Sequence, residues 1–213
     1  MKKFILLIVA LFTVASATES EITKKLKEYK IIPNIIKNNV PELLKITFDS
    51  GESVNMGNII LPTQAKNQPI MVDWNADKNA YYTIMSIGPD YPSPEDPFMS
   101  YVLLWKVGNI PGKDINSGQV LAEYFPFGPP RGANLNRGIF LLFKQPSKLH
   151  FDYEPSDKYT VEGRVNFPFN EFVERYGLGE PVAANFYMTK FDSYVMEIFK
   201  KFNCCFELNK PEE

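Results

Sequence analysis

The sequence has very little cysteine, which excludes a disulfide-built fold. The two cysteines it has, Cys204 and Cys205, are adjacent. Neighbouring cysteines close only a small strained ring and cannot staple a loop, so we expect the fold to depend on core burial. Three states stay open for the pair: a vicinal disulfide, a bridge to a second chain that would give a Cys-linked dimer, or free thiols. We favour a frayed pair without a role in the fold, and a monomer.

Histidine is scarcer still, and this argues against catalysis. A Ser-His-Asp relay would have to use the single histidine, His150, yet no G-x-S-x-G motif is present. Zinc sites need several His or Cys ligands, and calcium loops need acidic residues at alternate positions before a glycine. Neither pattern occurs, and glycine-rich phosphate motifs are also missing. We therefore expect no enzyme activity, metal or cofactor, and a surface or structural role for His150.

The chain also lacks an excess of positive charge. Its 23 Lys and Arg residues are outnumbered by 25 Asp and Glu residues, giving a formal net charge of −2. A mildly acidic protein has no basic field to hold a phosphate backbone or an anionic lipid surface. Nucleic acid is therefore excluded as an expected partner.

Long apolar runs are limited to the start of the chain. Two lysines precede an apolar run at 4–14, which ends in Ala-Ser-Ala at 15–17. This pattern is typical of a secretory signal peptide, and the run is too short to span a bilayer comfortably. The alternative is an anchor that stays in place. We predict a signal peptide at 1–17, a secreted single domain at 18–208 without a transmembrane segment, and a disordered tail at 209–213.

Between these ends the sequence indicates short strands and few helices. Runs rich in β-branched and aromatic residues alternate with turn signals, while apolar periodicity marks the helices. The predicted strands are 45–48, 53–56, 70–74, 80–87, 101–107, 120–125, 138–143 and 181–188. The predicted helices are 21–30, 170–176 with Asn170 as N-cap, and 192–203, which carries an apolar stripe. This order predicts a mainly β protein of the α+β class with an antiparallel sheet and peripheral helices.

Three strings rich in proline and glycine follow strand-like runs. They are Gly-Pro-Asp-Tyr-Pro at 88–92, Asn-Ile-Pro-Gly at 109–112 and Gly-Pro-Pro-Arg-Gly at 128–132. Stiff loops with close backbone approach can frame a shallow pocket, so we predict that the three loops meet at one sheet edge. Tyr91-Pro92 is a candidate cis peptide bond.

The order of these strings resembles the phosphatidylethanolamine-binding protein family, which is also called the Raf-kinase-inhibitor-protein family. The likeness includes Ile-Pro at 32–33, Ile-Leu-Pro-Thr-Gln at 60–64 and Pro-Val-Ala at 181–183, and covers nearly all of the predicted mature chain. The resemblance implies a large antiparallel sheet packed on a smaller sheet with flanking helices. It also implies a small pocket that accepts phosphate, acetate or a phospholipid head group without breaking a bond.

The resemblance also implies which residues surround this pocket, and many are changed. The family's D-P-D-A-P, G-x-G-P-P and H-R-Y motifs and its C-terminal helix tyrosine are matched by Asp90, Pro92, Gly128, Pro129, Pro130, Arg137 and Tyr194. Departures from these motifs and from the W-x-H motif are Gly88 for aspartate, Tyr91 for alanine, Val102 for tryptophan, Leu104 and Asn136 for the two histidines, and Gly138 for tyrosine.

The pocket frame is thus retained while most of its polar lining is lost. Asn136 can donate only through its uncharged amide, Leu104 cannot donate at all, and Tyr91 is a candidate to refill the volume left at Gly88. Arg131 or Arg137 could supply a positive charge to the pocket. We expect Arg137, however, to point to a structural partner or to solvent. The lost hydrogen bonds predict anion binding weaker by roughly two decades or more.

We therefore expect a secreted, non-enzymatic binding protein with a degenerate anion or phospholipid head-group pocket that takes a small apolar or lipid-like ligand. The alternative is an extracellular protein-interaction or protease-inhibitor module that acts on a secreted protein target without using the pocket. A third possibility is that the loops serve only the fold.

Overall fold

The computed structural model describes residues 19–152 and 154–201. The predicted signal peptide, the adjacent cysteines and the predicted tail lie outside the described residues. The strands are β1 (Glu42–Leu43), β2 (Lys45–Thr47), β3 (Met71–Asp73), β4 (Tyr81–Gly88), β5 (Val102–Pro111), β6 (Gln119–Ala122), β7 (Asn136–Lys144) and β8 (Ala183–Thr189). The helices are α1 (Glu21–Glu28), α2 (Phe169–Arg175) and α3 (Tyr194–Lys201), with a short 3-10 helix at Ile115–Ser117.

Six of these strands form one sheet in the spatial order β1-β8-β7-β4-β5-β6, and β2 pairs with β3 in a small second sheet. The mainly β architecture of a large and a small sheet with flanking helices is confirmed. The pairing is antiparallel except between β1 and β8, which run parallel. Only two residues of each strand take part in that contact, so a short edge strand of this kind leaves little pattern in the sequence.

The large sheet carries a buried core on each face. Ile139 and Leu141 of β7 belong to the core that includes α1 and α2 residues, whereas Phe140 and Leu142 belong to the core beneath the small sheet. Successive strand residues point to opposite faces, so a strand covered on both sides must be apolar at every position. The uninterrupted apolar run at 138–143 is explained by this double burial.

The hairpin turn predicted after β2 is present. Gly51 has a φ of 90°, and its backbone N–H donates to the carbonyl of Phe48 over 3.0 Å. The returning segment contributes only one bridge, between Thr47 and Ser53, while the other edge of β2 pairs with β3 over three residues. The strand predicted at 53–56 is therefore wrong, although the turn itself was correctly predicted.

The helices begin close to their predicted positions. The Ser20 hydroxyl accepts from the backbone N–H of Thr23 over 3.3 Å and caps α1. Helix α2 starts one residue before the predicted cap: Pro168 occupies the N-cap, so Asn170 lies inside the helix. Within the described part of the chain, no helix is long and apolar enough to cross a membrane.

Candidate ligand-binding site

The first and third proline-rich strings lie at the same end of the sheet, and the second lies elsewhere. Strands β4 and β5 are antiparallel, with Gly88 opposite Val102, while Pro111 of the second string lies at the other end of the pair. At about 3.3 Å per residue, the two ends are roughly 25 Å apart. The backbone N–H of Phe125 donates to the carbonyl of Leu104 over 2.7 Å and brings the third string to the Val102 end. The prediction that three loops meet is therefore wrong for 109–112.

Phe127 fills the space left at Gly88. A Cβ placed on Gly88 would lie 2.7 Å from Cζ of Phe127, well inside contact distance. The Phe127 ring is 1% exposed and packs against Tyr91 with 6.2 Å between ring centroids. Val102 and Leu104 complete this buried cluster. Burial raises the pKa of Tyr91 to about 12, so its hydroxyl is neutral. The expected anion pocket is thus packed with side chains, and Phe127, which the sequence did not single out, occupies it together with Tyr91.

The retained carboxylate of Asp90 is already engaged. Its Oδ1 accepts from Nη2 of Arg137 over 2.5 Å, and its Oδ2 accepts from Nε and from the backbone N–H of Arg137 over 2.8 Å each. Nη1 of Arg137 donates to the carbonyl of Tyr29, just after α1, over 2.8 Å. This bidentate pair neutralises both charges. Arg137 therefore has a structural partner, as favoured from the sequence, and does not replace the charge of the missing imidazoles.

The side-chain amide of Asn136 also bonds to the 90–92 loop. Its Nδ2 donates to the carbonyl of Asp90 over 2.8 Å and to that of Pro92 over 3.3 Å. These two bonds use both N–H groups of the amide, so Asn136 cannot donate to an anion while the loop is in place. The Tyr91-Pro92 peptide bond between these anchors is cis, as predicted.

Helix α3 packs against the third proline-rich string, at 128–132. A Cβ on Gly128 would lie 2.5 Å from Cγ2 of Val195 and 3.0 Å from Cγ of Pro62, so only a glycine allows the helix this close. Asp192 Oδ1 accepts from the backbone N–H of Tyr194 over 3.0 Å at the start of the helix. Tyr194 itself is half-buried, and this burial raises the pKa of its hydroxyl.

A small apolar cavity of about 50 Å³ lies beneath α3. It is lined by Tyr91, Met99, Val102, Phe125, Phe127, Gly128, Thr160, Val161, Arg164, Val165, Ile198 and Phe199. The predicted site residues outside this lining are Gly88, Asp90, Pro92, Leu104, Pro129, Pro130, Asn136 and Tyr194. The wall formed by 160–165 was missed, because no local pattern shows that this segment returns to the β4–β5 end. For the part of the lining that α3 contributes, the sequence offered one indication, which was the apolar stripe of the helix predicted at 192–203.

Two basic side chains are buried: Arg164, which lines the cavity, and Lys106. Arg164 is 2% exposed, and its guanidinium donates to the carbonyls of Leu103, Glu123, Ser156 and Asp157 over 2.8 to 3.1 Å. Lys106 is fully buried, with Nζ 4.0 Å from the ring centroid of Phe172 and 4.7 Å from that of Phe167. Burial, together with the charge of Arg164, lowers the pKa of Lys106 to about 7.

The single histidine does not belong to the cavity. His150 is exposed, and its Nε2 lies 2.9 Å from Oδ1 of Asp152; neither residue lines the cavity. No group of three potential metal ligands occurs among residues 19–152 and 154–201. What the described side chains can do at the pocket is pack against an apolar group and exclude water.

Comparison with known proteins agrees with this architecture. The "Putative odorant-binding protein A5" of Drosophila melanogaster is 36% identical over 182 residues, covering 85% of this chain and 86% of its own. The 26 kDa secreted antigen of Toxocara canis is 31% identical over 160 residues, covering 75% of this chain and 61% of its own. No family model matches the chain.

Two solved structures share the fold. The carboxypeptidase Y inhibitor, complexed with its cognate proteinase, has a TM-score of 0.70 and 19% identity, covering 84% of this chain and 98% of its own. The phosphatidylethanolamine-binding protein of Plasmodium vivax has a TM-score of 0.64 and 22% identity, covering 80% and 97%.

A large sheet, a small sheet and proline-rich loops at one strand end define the fold that this chain shares with these structures. The chain belongs to the phosphatidylethanolamine-binding protein family and is a divergent member of it.

Proposed function

We propose that the protein is a secreted, non-enzymatic binding protein that holds a small apolar or lipid-like ligand at the cavity beneath α3. Secretion would follow removal of residues 1–17. Relatives named for odorant binding and as a secreted antigen support an extracellular binding role. The observation that carries the proposal is the replacement of the anion pocket by a buried apolar cluster that borders an apolar cavity.

The charges around the pocket support this preference. An anion entering near Asp90 would have to compete with its carboxylate for Arg137, since the guanidinium already donates to both carboxylate oxygens. An apolar ligand meets no such competition, and each buried CH₂ group contributes about 0.8 kcal/mol. A cavity of about 50 Å³ has room for only a few water-sized groups. Binding a larger molecule therefore requires the cavity wall to move. The element that moves in this proposal is α3, which contributes Ile198 and Phe199 to the lining.

The proposal is tested by titrating the purified protein with inorganic phosphate, phosphoethanolamine and short-chain alkanes or alcohols in a calorimeter. We expect saturable binding of the apolar compounds and none of phosphate up to millimolar concentration. Val161→Phe, which adds bulk to the cavity wall, should weaken apolar binding. Val173→Phe, at a half-buried position of α2 away from the cavity, is the matched control and should leave it unchanged. Phosphate saturation at or below millimolar concentration, without apolar binding, would reject the proposal.

A second candidate is a protein-interaction or protease-inhibitor module. The carboxypeptidase Y inhibitor supports it through shared fold, and exposed apolar side chains such as Phe98, which is 60% exposed, could contact a protein target. The test is inhibition of purified carboxypeptidase Y or another secreted serine carboxypeptidase at stoichiometric ratio. Inhibition that survives Val161→Phe would favour this candidate over the cavity, whereas inhibition lost together with apolar binding would link the two activities.

A further inference from the structure

Two buried oxygens at the end of the large sheet are left without a hydrogen-bond partner. Asn136 of β7 lies directly opposite Thr189 of β8, and both residues are 0% exposed. Among the residues that the structure describes, neither Oδ1 of Asn136 nor Oγ1 of Thr189 has a partner. Opposite residues of antiparallel strands share a sheet face, with Cβ atoms about 4.5–5.5 Å apart, so one small polar group can reach both oxygens.

The orientation of the Asn136 amide is fixed by its other bonds. Nδ2 donates to the carbonyls of Asp90 and Pro92, and a flipped amide would place Oδ1 against these two carbonyl oxygens. Oδ1 therefore must be an acceptor that is not used by the 90–92 loop. Leaving a buried acceptor unpaired is expensive, which favours a bound partner at this position.

The chemistry of the pair selects that partner. Asn136 Oδ1 can only accept, whereas Thr189 Oγ1 can donate its proton. A hydroxyl group satisfies both at once, by donating to Oδ1 and accepting from Oγ1. A carboxylate or a fully ionised phosphate cannot donate to Oδ1, and an ether can accept from Oγ1 but leaves Oδ1 unpaired. The acceptor Oδ1 of Asn136 therefore requires a ligand with a donor, whereas the histidines that the resemblance implies for the usual pocket donate to an anion.

Asn136 is connected to the cavity wall through the 90–92 loop. Asn136 holds the carbonyls on both sides of Tyr91, and the side chain of Tyr91 forms part of the cavity wall. Residue 91 therefore links the loop that Asn136 binds to the cavity. We propose that Asn136 and Thr189 form an anchor for a single hydroxyl group, so that the preferred ligands are neutral aliphatic alcohols. This rests on the proposed function, because the alkyl chain needs the apolar site.

The experiment compares 1-hexanol with 1-methoxypentane, an ether with the same number of heavy atoms, by calorimetry on the purified protein. One hydrogen bond is worth up to about tenfold in affinity, so we expect the alcohol to bind roughly five- to tenfold more tightly. Thr189→Val, which keeps the shape and removes the hydroxyl, should weaken both compounds by a similar factor, because the alcohol and the ether both accept from Oγ1, and should leave the ratio that Oδ1 of Asn136 sets. Thr189→Ser keeps the hydroxyl and should keep both affinities.

The possible outcomes separate this inference from the proposed function. If hexanol and the ether bind the wild-type protein equally well, the apolar site stands and the hydroxyl anchor is refuted, with the pair holding only a structural water. The same conclusion follows if Thr189→Val leaves both affinities unchanged, because neither compound would then accept from Oγ1. If neither compound binds, the proposed function fails first and the anchor fails with it. The wild-type comparison needs no variant, so a poorly folding Thr189→Val would not weaken the test.

Discussion

Replacing Phe127 with alanine should lower the loss of stability that a side chain at position 88 causes. In the wild-type protein, Gly88→Ala puts a methyl group 2.7 Å from Phe127 Cζ, an overlap expected to cost about 1–3 kcal/mol. Phe127→Ala empties a fully buried site and should cost about 3–5 kcal/mol on its own. In the double variant the overlap is gone, so the methyl group at 88 should cost less than about 1 kcal/mol. The two substitutions are therefore predicted to be coupled by about 1–3 kcal/mol.

Urea or thermal unfolding of the four proteins measures this coupling directly. For a domain of this size, 1 kcal/mol corresponds to about 2–4 °C in Tm, so the predicted difference is well resolved. Gly108→Ala is the matched control, since its Cβ would lie 2.5 Å from Cε2 of Phe151, in a different part of the core. The loss of unfolding free energy caused by Gly108→Ala should be the same with and without Phe127. Additive free energies at 88 and 127 would show that Phe127 does not fill the pocket, and the account of the lost anion site would then be wrong.

Other perturbations follow from the same contacts. A variant designed to restore anion binding combines Gly88→Asp, Leu104→His, Asn136→His and Phe127→Gly. Calorimetry should detect phosphate binding by this folded variant, and none by the version that retains Phe127, because the ring occupies the space of the new carboxylate. Asp90→Asn should lower stability by about 3–5 kcal/mol in urea unfolding, because it leaves the Arg137 charge without its counter-ion. Lys106→Met should raise stability at pH 7 by a few kcal/mol, since burial lowers the lysine pKa from 10.5 to about 7. The unfolded chain binds this proton between those pH values and the native protein does not, so the gain should shrink as pH rises from 7 towards 10; a pH-independent gain would contradict the assignment.

The elements were largely predictable because each carries a local pattern. The apolar run of β7 and the turn at Gly51 depend on residues close together in sequence, and they lie near where the patterns indicated. The strand predicted at 53–56 is wrong because the chain turns at Met56, which has a φ of 48° and whose backbone N–H donates to Oδ1 of Asn185, a residue distant in sequence. The end of β5 was also misplaced, since Asn109 has a φ of 53° but stays in the strand through bonds to Gln145.

The candidate site was less predictable than the fold, because its chemistry depends on which side chains meet. The sequence identified Asp90, Asn136 and Gly88 as pocket positions, yet their partners could not be deduced from spacing. Phe127 reaches Gly88 from the loop after β6, and Arg137 reaches Asp90 from an adjacent strand. Loss of polar lining could be predicted, whereas replacement of the pocket by a packed ring required the three-dimensional arrangement.

The bonds of Arg137 have a consequence for the order in which the protein can assemble during synthesis. Asp90 is made 47 residues before the arginine that neutralises it, a delay of a few seconds at about 5–20 residues per second. A carboxylate is costly to bury without its counter-ion, so the end of β4 should stay hydrated until β7 has been made. The β4–β5–β6 meander needs no later residue for its own ladder and can form earlier. Strand β7 then pairs with β4, and its arginine joins the segment after α1 to the loop after β4, so the first helix is secured only once most of the chain exists. Strand β8 adds to the other edge of β7 later still.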